Sequence, residues 1–350
     1  MRFKVAVVGV SGYSGLELLK IVLRHPAMEC VAVMAAEANG GKRVADIHPR
    51  LRALTSLICD PADPERLALS KVDTAFLCTP NEVSHELVPK LMALGLRVID
   101  LSGSFRLRNA ASYPPWYGFE HMAPDLLERA VYGLSEWNAE RIAHADLVAN
   151  PGCYSTSALI PLLPLVQSGM IAPGTDLICD SKSGVTGAGR GPRLEMLFAE
   201  VSENFRPYSP ITHRHAPEIC QELDWDLNHF AFVPHLLPVT RGILSTIYVC
   251  FHGRVDEDQL EAEYRRRYAQ HRFIRILGSA RLPELSAVNH SNFCDVGWRL
   301  TCDGRRGIFF SAIDNLIKGA AGQAVQNFNL MHGLAQDVGL VEGMDVATDD

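Results

Sequence analysis

Hydrophobic residues in the first part of the chain fall in short unbroken runs, each followed by a stretch with helical spacing. Phe3-Lys4-Val5-Ala6-Val7-Val8 is such a run, and its near-continuous apolar character predicts a parallel strand buried on both faces. A helix over 16–23 follows after a glycine-containing turn and ends near His25-Pro26. Further strands are predicted at 30–34, 72–78, 96–101 and 146–149, with a helix over 82–94. Strands alternating with helices in this way predict an α/β, Rossmann-like doubly wound domain over 1–152.

Beyond residue 153 the pattern changes. Longer strands are predicted at 176–183, 230–234, 242–251, 293–302 and 308–313, with helices near 216–227 and 257–267. Runs of strands with few crossovers predict a second, α+β domain over 153–314, built on a mixed or antiparallel sheet. A last helix near 315–331 carries Gly319-Ala320-Ala321-Gly322, small residues that permit close packing, and residues 345–350 are expected to fray. No internal repeat or low-complexity linker interrupts the pattern.

Size and charge narrow the classes. A chain of 350 residues is long for one core and fits two domains. Thirty-three basic against forty acidic side chains leave a formal charge of −7, with no basic tail or stripe, which argues against a nucleic-acid partner. No apolar run approaches bilayer length and the chain starts on a strand, so no membrane partner and a cytoplasmic location are expected. Nine scattered cysteines without a CxxC pair fit reduced thiols better than a disulfide framework or a zinc site. A homo-oligomer, homodimer or homotetramer, is expected from the sheet-forming second domain.

The turn after the first strand is Gly9-Val10-Ser11-Gly12-Tyr13-Ser14-Gly15, a GxxGxxG spacing between strand and helix. Small residues there let the backbone approach a pyrophosphate, which the helix N-terminus neutralises. An ordinary strand–helix turn is the alternative, and the context favours a dinucleotide. Glu37, beyond the second strand, suits a ribose hydroxyl and hints at NAD, whereas Lys42-Arg43 could hold the 2′-phosphate of NADP. Composition leaves that choice open.

The chemistry centres on Ala149-Asn150-Pro151-Gly152-Cys153-Tyr154-Ser155-Thr156. A short strand leads in, Pro151-Gly152 turns, and Cys153 arrives in the first turn of a helix, where unpaired N–H groups collect. A thiol so placed should lose its proton more easily, and the same N–H groups could hold an oxyanion on the carbonyl it attacks. Simple burial of a packing cysteine is the alternative. Thr212-His213-Arg214-His215-Ala216-Pro217-Glu218 offers two imidazoles and a carboxylate as acid/base candidates. A metal pair competes with that reading but has no third ligand at motif spacing, and polar surface histidines are the bland alternative. Arg106, Arg190 and Arg241 lie in glycine-containing loops where a guanidinium could grip phosphate or carboxylate.

These motifs together resemble the N-acetyl-gamma-glutamyl-phosphate reductases, relatives of aspartate-semialdehyde dehydrogenase. The resemblance runs through GVSGYSGLELL at 9–19, GKRVADIHPRL at 41–51, DLSGSFR at 100–106, ANPGCYST at 149–156, SGVTGAGRG at 183–191, THRHAPEI at 212–219, PHLLPVTRGIL at 234–244 and DNLIKGAAGQAVQN at 314–327. It implies an NADP-dependent reduction of an acyl phosphate through a thioester on Cys153. His213 is the implied acid/base with His215 and Glu218 positioning it, although spacing does not choose between the imidazoles. Arg106, Ser183 and Arg241 would bind substrate. Gly9, Ser11, Gly12, Tyr13, Ser14 and Gly15 would line the cofactor, joined by Gly187, Ala188 and Asn315, and the 315–350 segment would return to the first domain. Ser155 and Ser157 depart from the pattern expected after the nucleophile, and Pro161 should kink the helix. The same mechanism on aspartyl phosphate, or on a carrier-bound aminoadipyl or glutamyl phosphate, is the second reading; a non-catalytic nucleotide sensor with a redox-reporting thiol is the third.

Overall fold

The computed structural model describes residues 2–341, so the expected fraying of 345–350 lies outside the described residues. By contact the described chain divides into two units: 2–102, 129–150 and 321–341 form the first, and 103–128 with 151–320 form the second.

In the first unit, β1 (Phe3–Val8), β2 (Met28–Ala35), β3 (Cys59–Pro61), β4 (Thr74–Leu77), β5 (Arg97–Asp100), β6 (Val131–Tyr132) and β7 (Leu147–Ala149) form one sheet in the order β3-β2-β1-β4-β5-β7-β6. Every neighbouring pair is parallel. The apolar runs are what such a sheet requires: Val5, Ala6, Val7 and Val8 are buried, as are Ala75, Phe76 and Leu77. Helices α1 (Tyr13–Arg24), α2 (Asn81–Ala93) and α3 (Ser135–Ala143) belong to this unit. The strand order reverses across β1, with β2 on one side and β4 on the other, which is where open parallel sheets bind ligands.

The second unit carries β8 (Leu177–Gly184), β9 (Arg206–Pro207), β10 (Phe230–Leu237), β11 (Ile243–Cys250), β12 (Ile274–Gly278), β13 (Cys294–Leu300) and β14 (Arg306–Ile313) in the order β12-β13-β14-β11-β8-β10-β9. It is a mixed sheet: β8 and β10 run parallel, and β11 is antiparallel to both β8 and β14. Strict alternation in β10, Phe230-Ala231-Phe232-Val233-Pro234-His235, buries Phe230 and Phe232 and half-exposes Ala231 and Val233. Helices α4 (Cys153–Gln167), α5 (His215–Leu223) and α6 (Glu257–Tyr268) belong to it.

Helix α4 runs unbroken across Pro161 and also Pro164, where the sequence predicted a kink. A proline in a helix leaves the carbonyl four residues earlier without its N–H partner. Both orphans are taken up by side chains. Ser311 Oγ on β14 donates to the Ser157 carbonyl at 2.6 Å, and Tyr268 Oη on α6 donates to the Ile160 carbonyl at 2.6 Å. Ser157 earns its unexpected place in the same way. Its hydroxyl bonds Ser245 Oγ at 2.8 Å and Ser311 Oγ at 2.7 Å, and Ser245 continues to Ser181 Oγ at 2.7 Å. Four buried hydroxyls thus tie α4 to three adjacent strands.

The last helix begins later than expected. A π-helical turn spans Ile317–Ala321, with the Gly319 N–H donating to the Asp314 carbonyl at 2.9 Å, and the α-helix proper is Gly322–Met331.

Tyr268→Phe should cost about 1–3 kcal/mol in urea unfolding, because the Ile160 carbonyl loses its donor. In a Pro164→Ala background, where residue 164 regains an N–H, the same change should cost less than about half as much. Equal costs in both backgrounds would refute the compensation.

Candidate active site

The glycine turn of the first unit is built for close backbone approach. Gly9 has φ +87°, and a Cβ there would stand 2.4 Å from the Cys78 carbonyl oxygen; one at Gly15 would stand 2.4 Å from the Gly9 oxygen. His48, from the 41–51 motif, hydrogen-bonds the Val10 carbonyl through Nε2 at 2.8 Å and pins the turn. Helix α1 has Gly12 as N-cap, no capping side chain and no acidic residue in its first turn. Its first N–H groups are therefore open to an anion, with half-buried Ser11, Tyr13 and Ser14 around them. These residues fit the pyrophosphate of a dinucleotide. Near the end of β2, Lys42 Nζ reaches Asn39 Oδ1 at 3.3 Å, Arg43 pairs with Asp46 at 3.0 Å, and Glu37 is exposed.

In the second unit, Cys153 is the first residue of α4, after Gly152 as N-cap. Three neighbours hold the turn. The Gly152 N–H donates to Glu218 Oε1 at 2.8 Å, Glu218 Oε2 faces Arg106 Nη1 at 3.4 Å, and both of these charged side chains are buried. The His215 ring packs on Gly152 so closely that a Cβ there would lie 2.4 Å from Nε2. Behind Cys153, a Cβ on Gly319 would come within 2.7 Å of the Cys153 Cβ, so the small residue in the π-turn is what leaves room for the cysteine.

The thiol is not predisposed to ionise. Burial pushes it up from 9.0 to about 11, against the pull of Arg106, the Tyr154 backbone N–H and Arg214. A helix N-terminus contributes at most about 2 kcal/mol, or roughly 1.5 pH units, so desolvation wins over the expected lowering. Both imidazoles are held neutral. Burial, then Arg214, lowers His213 to about 4; burial, then His213, Arg106 and Arg214, holds His215 well below its usual range. His213 Nδ1 accepts the His215 backbone N–H at 3.2 Å, so its Nε2 carries the proton when neutral. His215 Nδ1 is buried without a partner.

The other expected site residues are drawn into a supporting lattice. Arg241 Nη1 pairs with buried Asp314 at 3.1 Å. Asn315 accepts the Gly242 N–H through Oδ1 at 2.8 Å and donates from Nδ2 to Thr186 Oγ1 at 3.0 Å. Ser183, Gly187 and Ala188 line a cavity of about 510 Å³ together with His213, and Arg190 is exposed. Among the described residues no group of three His, Cys, Asp or Glu is placed to hold a metal, and no helix is long and apolar enough to cross a membrane.

Two family models match almost end to end: residues 4–145 match the semialdehyde dehydrogenase NAD binding domain, and residues 153–315 the semialdehyde dehydrogenase dimerisation domain. N-acetyl-gamma-glutamyl-phosphate reductase of Desulfotalea psychrophila is 45% identical over 342 residues, covering 96% of this chain and 97% of that protein. The protein of the same name from Geotalea daltonii is 46% identical over 343 residues, covering 96% and 97%. The chain belongs to the semialdehyde dehydrogenase family.

The fold of this semialdehyde dehydrogenase is shared with solved structures. Aspartate semialdehyde dehydrogenase II of Vibrio cholerae, complexed with ASA, superposes with a TM-score of 0.71 at 19% identity, over 95% of this chain and 99% of that one. The Candida albicans aspartate semialdehyde dehydrogenase with NADP gives 0.71 at 15% identity, over 97% and 100%. A nicotinamide dinucleotide is thus the cofactor class of this dehydrogenase, and its glycine turn is the part that fits it.

The cavity adds residues that sequence reasoning did not single out: Trp116, Arg193, Arg206 and Tyr208. Tyr208 donates to Tyr154 Oη at 3.0 Å, and Tyr154 donates to the His235 carbonyl at 3.2 Å. No motif marks these positions; the fold brings Trp116 from the 103–128 segment to the other three, which lie in the 189–212 excursion.

Iodoacetamide labelling of Cys153, followed by peptide mass spectrometry, should keep accelerating beyond pH 10 in the free enzyme. A plateau below about pH 8 would mean that the helix end outweighs burial.

Proposed function

We propose that this enzyme reduces N-acetyl-L-glutamyl 5-phosphate with NADPH and a proton, giving N-acetyl-L-glutamate 5-semialdehyde, NADP and phosphate, as a step of arginine biosynthesis. The observation that carries the reading is Cys153 at the head of α4, its turn clamped by Glu218 and His215, in a chain 45–46% identical to reductases of that name over nearly its whole length.

His215 is the imidazole we assign to the proton. Its Nε2 lies against Gly152 and its ring nitrogens carry no structural hydrogen bond among the described residues, whereas His213 Nδ1 is occupied by the His215 backbone. A neutral imidazole beside a protonated thiol can take the proton as sulfur attacks the acyl carbon. The first-turn N–H groups of α4 then hold the carbonyl oxygen as it gains charge, and phosphate leaves as Cys153 becomes a thioester. Arg106 and Arg214, the cations that act on the sulfur, are suited to hold that phosphate. The nicotinamide, when bound, supplies the hydride that reduces the thioester carbon. As the adduct on Cys153 collapses to aldehyde, His215 returns its proton to the sulfur. Glu218 acts by positioning: it fixes Gly152 and balances Arg106. Arg241 and Asn315 serve the site through the backbone they hold.

The cavity beside His213 favours an acylated amino acid over aspartyl phosphate. Its charged lining is Arg193, Arg206 and Arg214 against Glu195, a balance of three positive to one negative that opposes a free ammonium group. Acetylation removes that charge, and Trp116, Met196 and Leu236 offer an apolar wall for the methyl.

NADP is the preferred cofactor in this reading, supported by Lys42 near the end of β2. A homodimer or homotetramer is supported by the dimerisation-domain match and by the open face of the second sheet, where cross-strand neighbours Ile178 and Tyr248 are exposed. A cytoplasmic setting suits nine free thiols.

Assayed in reverse with phosphate and NADP, the enzyme should oxidise N-acetylglutamate 5-semialdehyde, and Cys153→Ser should lower kcat by on the order of 10⁴-fold or more. Preference for aspartate semialdehyde, or an active serine variant, would sink the reading. Lys42→Ala should raise the KM for NADPH roughly tenfold and leave that for NADH unchanged; equal effects on both would remove Lys42 from the 2′-phosphate site.

A further inference from the structure

The short helix Tyr113–Tyr117 carries two tyrosines that the fold treats differently. Both rings are buried, and they pack on each other with centroids 5.4 Å apart. The Tyr113 hydroxyl is used twice: it accepts the Leu107 N–H and donates to the Leu107 carbonyl, each at 3.1 Å. The Tyr117 hydroxyl is also shut away, on a residue only 9% exposed, yet it has no hydrogen-bond partner among the described residues. A ring needed for packing alone would be phenylalanine, because an unsatisfied buried hydroxyl weakens a fold. Room has been made for this one: a Cβ on Gly103 would meet the ring edge and stand 2.6 Å from the hydroxyl oxygen.

The neighbours of Tyr117 are the charges of the catalytic turn. Arg214 Cζ lies over its ring, 6.0 Å from the centroid. Burial, then Glu218, pushes the phenol up to about 12 against the pull of Arg106 and Arg214, so it keeps its proton throughout the neutral range. Those two guanidiniums are the ones that favour negative charge on the Cys153 sulfur. A guanidinium can only donate, so neither can take the phenolic proton. Both Glu218 oxygens are already engaged, one by the Gly152 N–H and one by Arg106. The donor is left for an anion that comes to the same two cations.

We propose that Tyr117 is a phosphate-binding residue, whose hydroxyl donates to the phosphoryl group held by Arg106 and Arg214. The inference rests on the reductase reading and deepens it, since that phosphate is the group that leaves. A neutral donor suits the place better than a third cation. Arg106 and Arg214 already disfavour a positive His215, and a further positive charge would oppose the proton transfer more strongly. The hydroxyl adds a hydrogen bond to phosphate and leaves that balance alone.

The test compares full-length Tyr117→Phe with wild type in two measurements. One is the reverse reaction, where phosphate is a free reagent, with N-acetylglutamate 5-semialdehyde and NADP. The other is calorimetric titration of inorganic phosphate into enzyme with NADP. Loss of one hydrogen bond to a charged group should raise the phosphate KM and Kd about 10- to 100-fold. The KM values for aldehyde and NADP should stay within about twofold. The melting temperature should hold or rise, because the hydroxyl has no partner to lose. Unchanged phosphate KM and Kd, or a loss shared equally with the aldehyde, overturns the assignment. A lower melting temperature also overturns it, by showing that the hydroxyl serves the fold. Wild-type inactivity on the acetylated aldehyde would instead defeat the reductase reading, and the calorimetry would still decide the role of the hydroxyl.

Discussion

One hydrogen bond sets the geometry of the catalytic turn: the Gly152 N–H to the buried carboxylate of Glu218. Gly152 is the residue before the nucleophile, so whatever fixes its peptide fixes where Cys153 enters α4. A carboxylate can serve there only with a counter-charge, and Arg106 supplies it from the segment 103–128. Removing one member of such a buried pair costs about 3–5 kcal/mol, because the other is left uncompensated. Arg106 cannot drift toward a bound anion without loosening Glu218, and Glu218 cannot loosen without freeing the turn. In the proposed reading, phosphate recognition and nucleophile placement are therefore one mechanical system.

The same economy appears under α4. A helix holding two prolines should bend away from its sheet, yet each orphaned carbonyl receives a hydroxyl from a neighbouring element, Ser311 on β14 and Tyr268 on α6. Prolines stiffen the helix and remove unfolded-state freedom, while the hydroxyls remove the cost. The result is an unbroken helix that carries Cys153 at its N-terminal end. Gly319 completes it from the other side, where any larger residue would press on the Cys153 Cβ.

Much of this could be read from the chain alone, and the limits have physical causes. Apolar runs announced the parallel sheet because strands buried on both faces have no room for polar residues, as in Val5–Val8 and Ala75–Leu77. Motif residues Cys153, His213, His215, Glu218 and Arg106 gather in one unit of the fold. What the sequence could not show was pairing at a distance: Arg241 with Asp314, Asn315 with Gly242 and Thr186, and Ser157 with Ser311 each join residues 73 or more positions apart, or sit across strands whose register is a property of the sheet. The continuity of α4 across its prolines escaped for the same reason, since its compensating hydroxyls lie more than 100 residues further along. Arg193 and Arg206 carry no motif, because their place on the cavity wall comes from where the 189–212 excursion folds back.

The thiol teaches the sharper lesson. Position at a helix N-terminus argues for a thiolate, but a terminal dipole works through a field of at most about 2 kcal/mol, and desolvation around the half-buried Cys153 exceeds it. Desolvation thus pushes the Cys153 thiol up to about 11, while burial, with Arg214 at His213 and with His213, Arg106 and Arg214 at His215, holds both imidazoles neutral. Proton and nucleophile have to move together, and they can do so only when an acyl carbon is present to receive the electron pair. Arg106 and Arg214 make that step easier by favouring negative charge on sulfur, yet they also disfavour a positive imidazole. In the proposed mechanism an arriving phosphate offsets both cations, which lets the imidazole accept the proton at the moment the sulfur gives it up. In that mechanism desolvation keeps the thiol protonated at rest, and substrate charge completes its activation.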